Sequence, residues 1–206
     1  MAETTPASPA EVRGHVREQA RAQAAAAAAA GSATWQAYLQ PNGTLRNKLG
    51  IEDPRRLSVM ERHYAASRTD QLANGLAGPF AHTPAGYKAL HRHLFQDLYA
   101  WAGQVRSVEM HRRDAREDGS ERSSSYLAAR LVEQGLHSTF DQLKPVLPRL
   151  RAEALKGPEQ RNGRAVAEVA ASHVGGVNYV HAFRDGNRRT MRRRVESLAR
   201  DAGLHP

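Results

Sequence analysis

Residues 181–193 read His181-Ala182-Phe183-Arg184-Asp185-Gly186-Asn187-Arg188-Arg189-Thr190-Met191-Arg192-Arg193. The stretch lies between two segments of helical pattern. Before it, Val166, Val169, Val177 and Val180 mark one helix face, which Gly175-Gly176 weakens. After it, a basic helix is expected to about Asp201. His181–Asn187 is therefore a polar loop between helices. A histidine titrates near neutrality and can act as a general base. An aspartate four residues on, Asp185, can hold a divalent ion. Gly186-Asn187 precedes a helix start, where free N–H groups and the helix dipole bind anions. Arg189 and Arg192 lie three apart, on one helix side, and can clamp phosphate oxygens. Base, metal ligand, anion cradle and arginine clamp together describe a phosphate-transfer site.

Upstream, the pattern is mostly helical. Pro41-Asn42-Gly43 reads as a turn. Asp53-Pro54 reads as an N-cap followed by proline at the first helical position. Leu57, Met60, Tyr64 and Leu72 give a helical stripe to about Ala77. Pro84 opens a stronger helix, with Leu90, Leu94, Leu98 and Trp101 on one face and Gly103 as its stop. Val105, Ser107, Val108 and Met110 suggest a short strand. Asp118-Gly119 is a hairpin-turn signal, so roughly 104–122 reads as a β-hairpin or exposed flap. Tyr126 to Phe140 looks helical again. Pro145 and Pro148 interrupt the pattern beyond Phe140, and a helix resumes to about Lys156. The fold class expected is mainly α, a helical bundle with a small β-hairpin flap.

The chain divides in two. Residues 1–33 are rich in Ala, Glu, Arg and Gln, with the unbroken run Ala24–Ala30. Apart from Val12 and Val16 they offer no large apolar residue, so a loosely packed helix is expected there. Residues 34–206 read as the globular domain. The 206 residues are 40% hydrophobic, which is enough for a core and excludes full disorder. Cysteine is absent, which excludes disulfides, thiolate metal sites and a cysteine nucleophile. No run of about 18 apolar residues exists, so no membrane span is expected. Met1–Arg21 lacks the apolar core of a secretory signal, and a cytoplasmic bacterial-type protein is the expectation.

The net charge is +9, and nearly all the cations are arginines; the lysines are Lys48, Lys88, Lys144 and Lys156. GC-rich coding accounts for such arginines, and a phosphate-bearing substrate is the specific alternative. A basic helical DNA-binding protein ranks last, because no turn and recognition helix stands out beyond the motif helix itself. His91 and His93 look like a metal pair, but on a helix they point about 200° apart, so they read as packed or solvated. His173 reads as a core or surface histidine, and Tyr99 and Trp101 as core or flap support.

The quoted stretch resembles the signature of Fic-domain enzymes, His-x-Phe-x-(Asp/Glu)-Gly-Asn-Gly-Arg-x-x-Arg. Every fixed position matches except one, where Arg188 stands in place of the second glycine. Two further stretches agree. Leu45-Arg46-Asn47-Lys48-Leu49-Gly50-Ile51 resembles the entry segment of stand-alone Fic proteins, and residues Leu90 to Arg106 resemble the helix that runs into the Fic flap. The resemblance covers roughly residues 38–203.

The resemblance implies transfer of AMP from ATP onto a hydroxyl side chain of a target protein. On that basis His181 is the catalytic base and Asp185 coordinates Mg²⁺. Gly186 and Asn187 lend the anion hole, Arg189 and Arg192 hold the β- and γ-phosphates, and Phe183 faces the core and fixes the loop. The flap aligns a strand of the target by backbone pairing. Arg188 sits in the same nucleotide-binding run and adds bulk and charge where glycine leaves room. Either its side chain swings to solvent and weakens ATP binding, or it enters the phosphate site and misplaces the nucleotide. Doc-like members, which transfer phosphate, carry lysine here. Arg192 and the Leu45–Ile51 segment instead resemble the AMP-transferring branch. AMP transfer is the expectation; Doc-like phosphotransfer and a catalytically silent Fic fold that only binds a partner are the alternatives. Many Fic proteins carry an inhibitory helix, (Ser/Thr)-x-x-x-Glu-(Gly/Asn). No glutamate of this chain is followed by Gly or Asn. The resemblance then implies a toxin whose separate small antitoxin supplies the glutamate to Arg192.

Overall fold

The computed structural model describes residues 35–115 and 121–204. The Ala-rich segment 1–33 and the Asp118-Gly119 turn lie outside the described residues. Six α-helices and one two-stranded sheet are present among the described residues. In chain order they are α1 (Pro54–Ala73), α2 (Pro84–Phe95), β1 (His111–Ala115), β2 (Glu121–Ser125), α3 (Val132–Leu143), α4 (Leu147–Ala154), α5 (Gly163–Val180) and α6 (Asn187–Asp201). This is the mainly helical class with one hairpin.

Local chemistry sets the helix starts. Asp53 caps α1 by accepting from Arg56 N at 2.7 Å, with Pro54 at the first position. Thr83 caps α2 in the same way, accepting from Gly86 N at 3.1 Å. Asn162 caps α5 through Ala165 N at 3.0 Å. Pro41-Asn42-Gly43 forms the expected turn, closed by Gly43 N to Gln40 O at 2.9 Å.

Several expected boundaries move, each for a tertiary or capping reason. Helix α1 ends at Ala73 rather than near Ala77, because the backbone N–H and side-chain amide of Asn74 both take Asp70 O. Helix α2 ends at Phe95, so Leu98 and Trp101 lie beyond it. Lys48 draws the chain away there: its ammonium donates to Gln96 O at 2.5 Å, and its N–H to Leu98 O at 2.7 Å. The strands are 111–115 and 121–125, paired antiparallel from His111↔Ser125 to Ala115↔Glu121. Val105 to Met110 is not strand. Arg106 N donates to Ala182 O at 2.8 Å, so this segment hangs on the loop after α5 instead of on a neighbouring strand. Helix α3 begins at Val132, not Tyr126, because Tyr126 N and Leu127 N are held by Met110 O and Tyr179 O. Helix α5 runs unbroken through Gly175-Gly176. A Cβ at Gly176 would stand 2.8 Å from Thr139 Cγ2, so the glycine lets α3 and α5 approach closely.

Helix α2 divides the interior. One face, through Tyr87, joins Val132, Leu136 and Phe140 of α3, Val177 and Val180 of α5, Phe183 and Leu198. The other face, Leu90, Leu94 and Phe95, packs with Leu57 and Ala65 of α1 and with Leu98 and Tyr99. Both clusters converge on the loop between α5 and α6.

Three arginines work inside this fold. Arg106 is 1% exposed. It donates from Nε to His181 O at 2.8 Å, from Nη1 to Val108 O at 2.8 Å, and from Nη2 to Val180 O at 3.1 Å and to Leu127 O. Arg194, also buried, donates to Phe80 O at 3.1 Å and Ala81 O at 2.7 Å, and its cation lies over Phe140. Arg161 donates to Gly203 O at 2.5 Å and Ala154 O at 3.3 Å. His173 is buried edge-on to Phe140, as the core reading of that residue expects.

Two of these buried groups give measurable stability effects. Arg106→Met keeps the volume but strips the donors from four carbonyls, so urea unfolding should show a loss of about 3–5 kcal/mol. Burial, with Arg194 and His82 nearby, pushes His173 down from 6.5 to about 4. The unfolded chain therefore takes up this proton first. The stabilisation is complete above about 6.5 and is lost as pH falls toward 4, a difference of about 3 kcal/mol. Urea midpoints at pH 7 and 4.5 should fall less on acidification for His173→Gln than for the parent chain.

Candidate active site

The loop 181–187 joins the end of α5 to the start of α6, and four side chains fix its shape. His181 ends α5 in a left-handed conformation, φ 46° and ψ 60°. That turn aims the chain back across the bundle, and Arg106 satisfies the carbonyls left at the helix end. Phe183 is fully buried and stacks on His91 with ring centroids 3.8 Å apart. Asn187 closes the loop on itself: its Oδ1 accepts from Phe183 N at 2.8 Å and its Nδ2 donates to Phe183 O at 2.7 Å. Gly186 caps α6 with φ 77°, and a Cβ there would stand 2.5 Å from the Phe95 ring. No other residue type meets both conditions without displacement.

His91, expected to be packed or solvated, is buried and braces the loop. Gly103 N donates to its Nδ1 at 2.8 Å, so the ring proton sits on Nε2, which donates to Asp185 O at 3.0 Å. Burial pushes His91 down to about 4, so the ring stays neutral and keeps this tautomer. The signal in the sequence was its place on the apolar face of α2, one turn from Leu94 and Phe95.

Asp185 is half-buried, and its Oδ1 accepts from Gly186 N at 2.5 Å. Its second oxygen accepts no hydrogen bond among the described residues. No cluster of three or more His, Asp or Glu able to hold a metal occurs among the described residues. A single carboxylate such as that of Asp185 is compatible with Mg²⁺, which takes one or two protein carboxylates and completes its shell with water and phosphate oxygens.

The expected catalytic, metal-binding and nucleotide-binding residues separate into two groups. His181, Asp185, Gly186 and Asn187 come together in the loop. Arg189 leaves it from the first turn of α6, with its guanidinium on the Glu61 carboxylate and 4.8 Å above the Phe95 ring. Arg188 is exposed at the second position of α6. Arg192 is 75% exposed and only 3.4 Å from Glu196.

The flap roots border the loop. Tyr126 stacks on the His181 ring at 3.8 Å, with a 14° interplanar angle. Trp35 lies under the Arg184 guanidinium at 3.9 Å and donates from Nε1 to Glu109 O at 3.1 Å. Trp35 and Tyr126 were not among the expected site residues; aromatic spacing alone gives no sign of a stacking partner far away in sequence.

A family profile described as the Fic/DOC family matches residues 81–195. The protein adenylyltransferase VbhT of Bartonella schoenbuchensis is 30% identical over 82% of this chain, and this chain spans 31% of VbhT's length. The probable protein adenylyltransferase y4lH of Sinorhizobium fredii is 30% identical over 77% of this chain and 72% of its own. Among solved structures, the BepC protein of Bartonella tribocorum with bound AMPPNP superposes with a TM-score of 0.63 at 25% identity. That match covers 82% of this chain and 79% of BepC.

Gly186→Ala tests the loop's steric constraint. The strained φ and the overlap with Phe95 should together cost about 2–5 kcal/mol in urea unfolding. Gly163→Ala, at an open helix start, should shift the midpoint little.

Proposed function

The chain belongs to the Fic/DOC family, and on that premise we propose that it is a protein adenylyltransferase that transfers AMP from ATP to a hydroxyl side chain of a target protein. Its homologues at about 30% identity carry that name. The observation that carries the reading is the loop itself. His181, Asp185, Gly186 and Asn187 are fixed in one turn by Arg106, His91 and Asn187's own bonds to Phe183.

In this reaction the target hydroxyl oxygen bonds to the α-phosphorus. The bond from that phosphorus to the bridging α–β oxygen breaks, and pyrophosphate leaves. His181 takes the hydroxyl proton as general base. Its left-handed backbone and the Tyr126 stack hold the ring at the loop entrance. Asp185 would hold Mg²⁺ through its carboxylate, and the ion would supply positive charge that offsets the phosphates. The N-terminus of α6 and Arg189 face the phosphates, and Arg192 holds the outer one from the solvent side.

Arg188 attenuates the reaction without abolishing it. Its exposed position keeps the side chain off the loop, while its charge and bulk remain beside the phosphate path. The chain acts in the cytoplasm as the toxin of a toxin–antitoxin pair. The exposed Arg192 supports a glutamate supplied by a separate small antitoxin. A basic residue at 188 also favours a second reading, Doc-like transfer of the γ-phosphate.

The test incubates the chain, Arg188→Gly and His181→Ala with Mg²⁺ and bacterial lysate, using ATP labelled on the α- or the γ-phosphate. Label from the α position alone is expected, several-fold more with Arg188→Gly and about 10²–10⁴-fold less with His181→Ala. EDTA should abolish it. Label from the γ position alone establishes the Doc-like reading. Activity only in Arg188→Gly makes the chain a silent Fic fold, and no label with folded parent and glycine variant overturns the proposal.

A further inference from the structure

The two arginines of the motif are held very differently. Arg192 is a solvent-side group with one long contact. Arg189 is 37% exposed, and three elements converge on it. From α1, one oxygen of Glu61 accepts from Arg189 Nη2, and the other accepts from the Tyr99 hydroxyl in the turn after α2. From α2, the buried Phe95 ring lies under the guanidinium. Glu61 is 13% exposed, so both carboxylate oxygens are satisfied away from bulk water. Burial and the adjacent carboxylate push the Tyr99 hydroxyl upward, so it stays protonated and donates.

A guanidinium has five donors in one plane. Glu61 takes a donor on Nη2, and Phe95 covers a face. Arg189 Nη1 is buried and has no hydrogen-bond partner among the described residues. The guanidinium thus carries an unsatisfied donor while the side chain as a whole is 37% exposed, a state that an arriving anion relieves.

We propose that Glu61, fixed by Tyr99, is the positioning residue that holds Arg189 ready for the β- and γ-phosphates of the nucleotide. This rests on the adenylyltransferase reading above. Glu61 touches neither nucleotide nor target; it acts through Arg189. The arginine is ordered before the ligand binds, so binding loses less side-chain entropy. The carboxylate also opposes the charge of an incoming phosphate. The two effects have opposite signs, and the variants separate them.

Binding of ATP and of AMP, each with Mg²⁺, is measured by calorimetry on the full chain, Glu61→Gln and Tyr99→Phe. Glu61→Gln keeps the volume and an acceptor for Tyr99 but loses the ion pair. Its ATP Kd should rise about tenfold, while its AMP Kd stays within about twofold, because AMP lacks the phosphates Arg189 serves. Tyr99→Phe leaves the carboxylate in place and should show the same selective loss at smaller size, which keeps the test open if Glu61→Gln does not fold. Equal losses for ATP and AMP mean a merely structural role and overturn the proposal. Unchanged or tighter ATP binding in Glu61→Gln means repulsion outweighs positioning and also overturns it. No ATP binding by the folded parent chain overturns the nucleotide reading itself, and this inference with it.

Discussion

The end of α5 is the point on which the site depends. The chain must leave a helix, reverse through a left-handed histidine and enter α6 within seven residues, all inside the bundle. Helix ends leave carbonyls without partners, and burying them costs free energy unless donors arrive. Arg106 supplies these donors to Val180 and His181, and with its other nitrogens reaches Val108 and Leu127. One buried guanidinium thus fixes the backbone of His181 and both roots of the flap. Burial lowers its affinity for the proton, but its contacts are all with carbonyl oxygens, which favour the charged form.

The rest of the loop is built on the same principle, with neutral groups. His91 donates to the Asp185 carbonyl and stacks on Phe183, while Asn187 bonds both backbone groups of Phe183. The half-buried Asp185 carboxylate bonds Gly186 N through one oxygen, and its other oxygen accepts no hydrogen bond among the described residues. The site is therefore rigid in its backbone and open at its charged tips. Arg189 is the exception, a tip braced by Glu61, while Arg188 and Arg192 extend into solvent.

The arginine content gains a use beyond coding bias or phosphate binding. Arg106, Arg161 and Arg194 serve backbone carbonyls of this chain, and Arg68 grips Asp97 through two bonds of 2.7 Å. Such arginines contribute to the +9 charge without forming a basic face for a partner.

By itself the sequence determined the helical class, the starts of α1 and α2, the loop 181–187 and its residues of chemical interest. These are local matters: a cap, a proline or a motif acts within a few positions, and period and spacing reveal it. Tertiary structure decided where α2 stops, because Lys48 reaches Gln96 and Leu98 across the fold. It decided that Val105 to Met110 hangs on the loop rather than pairing as strand, because Arg106 meets Ala182 and His181 more than seventy residues away. It also decided the parts played by His91, Glu61, Trp35 and Tyr126, each of which acts through a partner distant in sequence. A hydrogen bond or ring stack across such a separation leaves no periodicity in the chain, and only packing brings its two ends together.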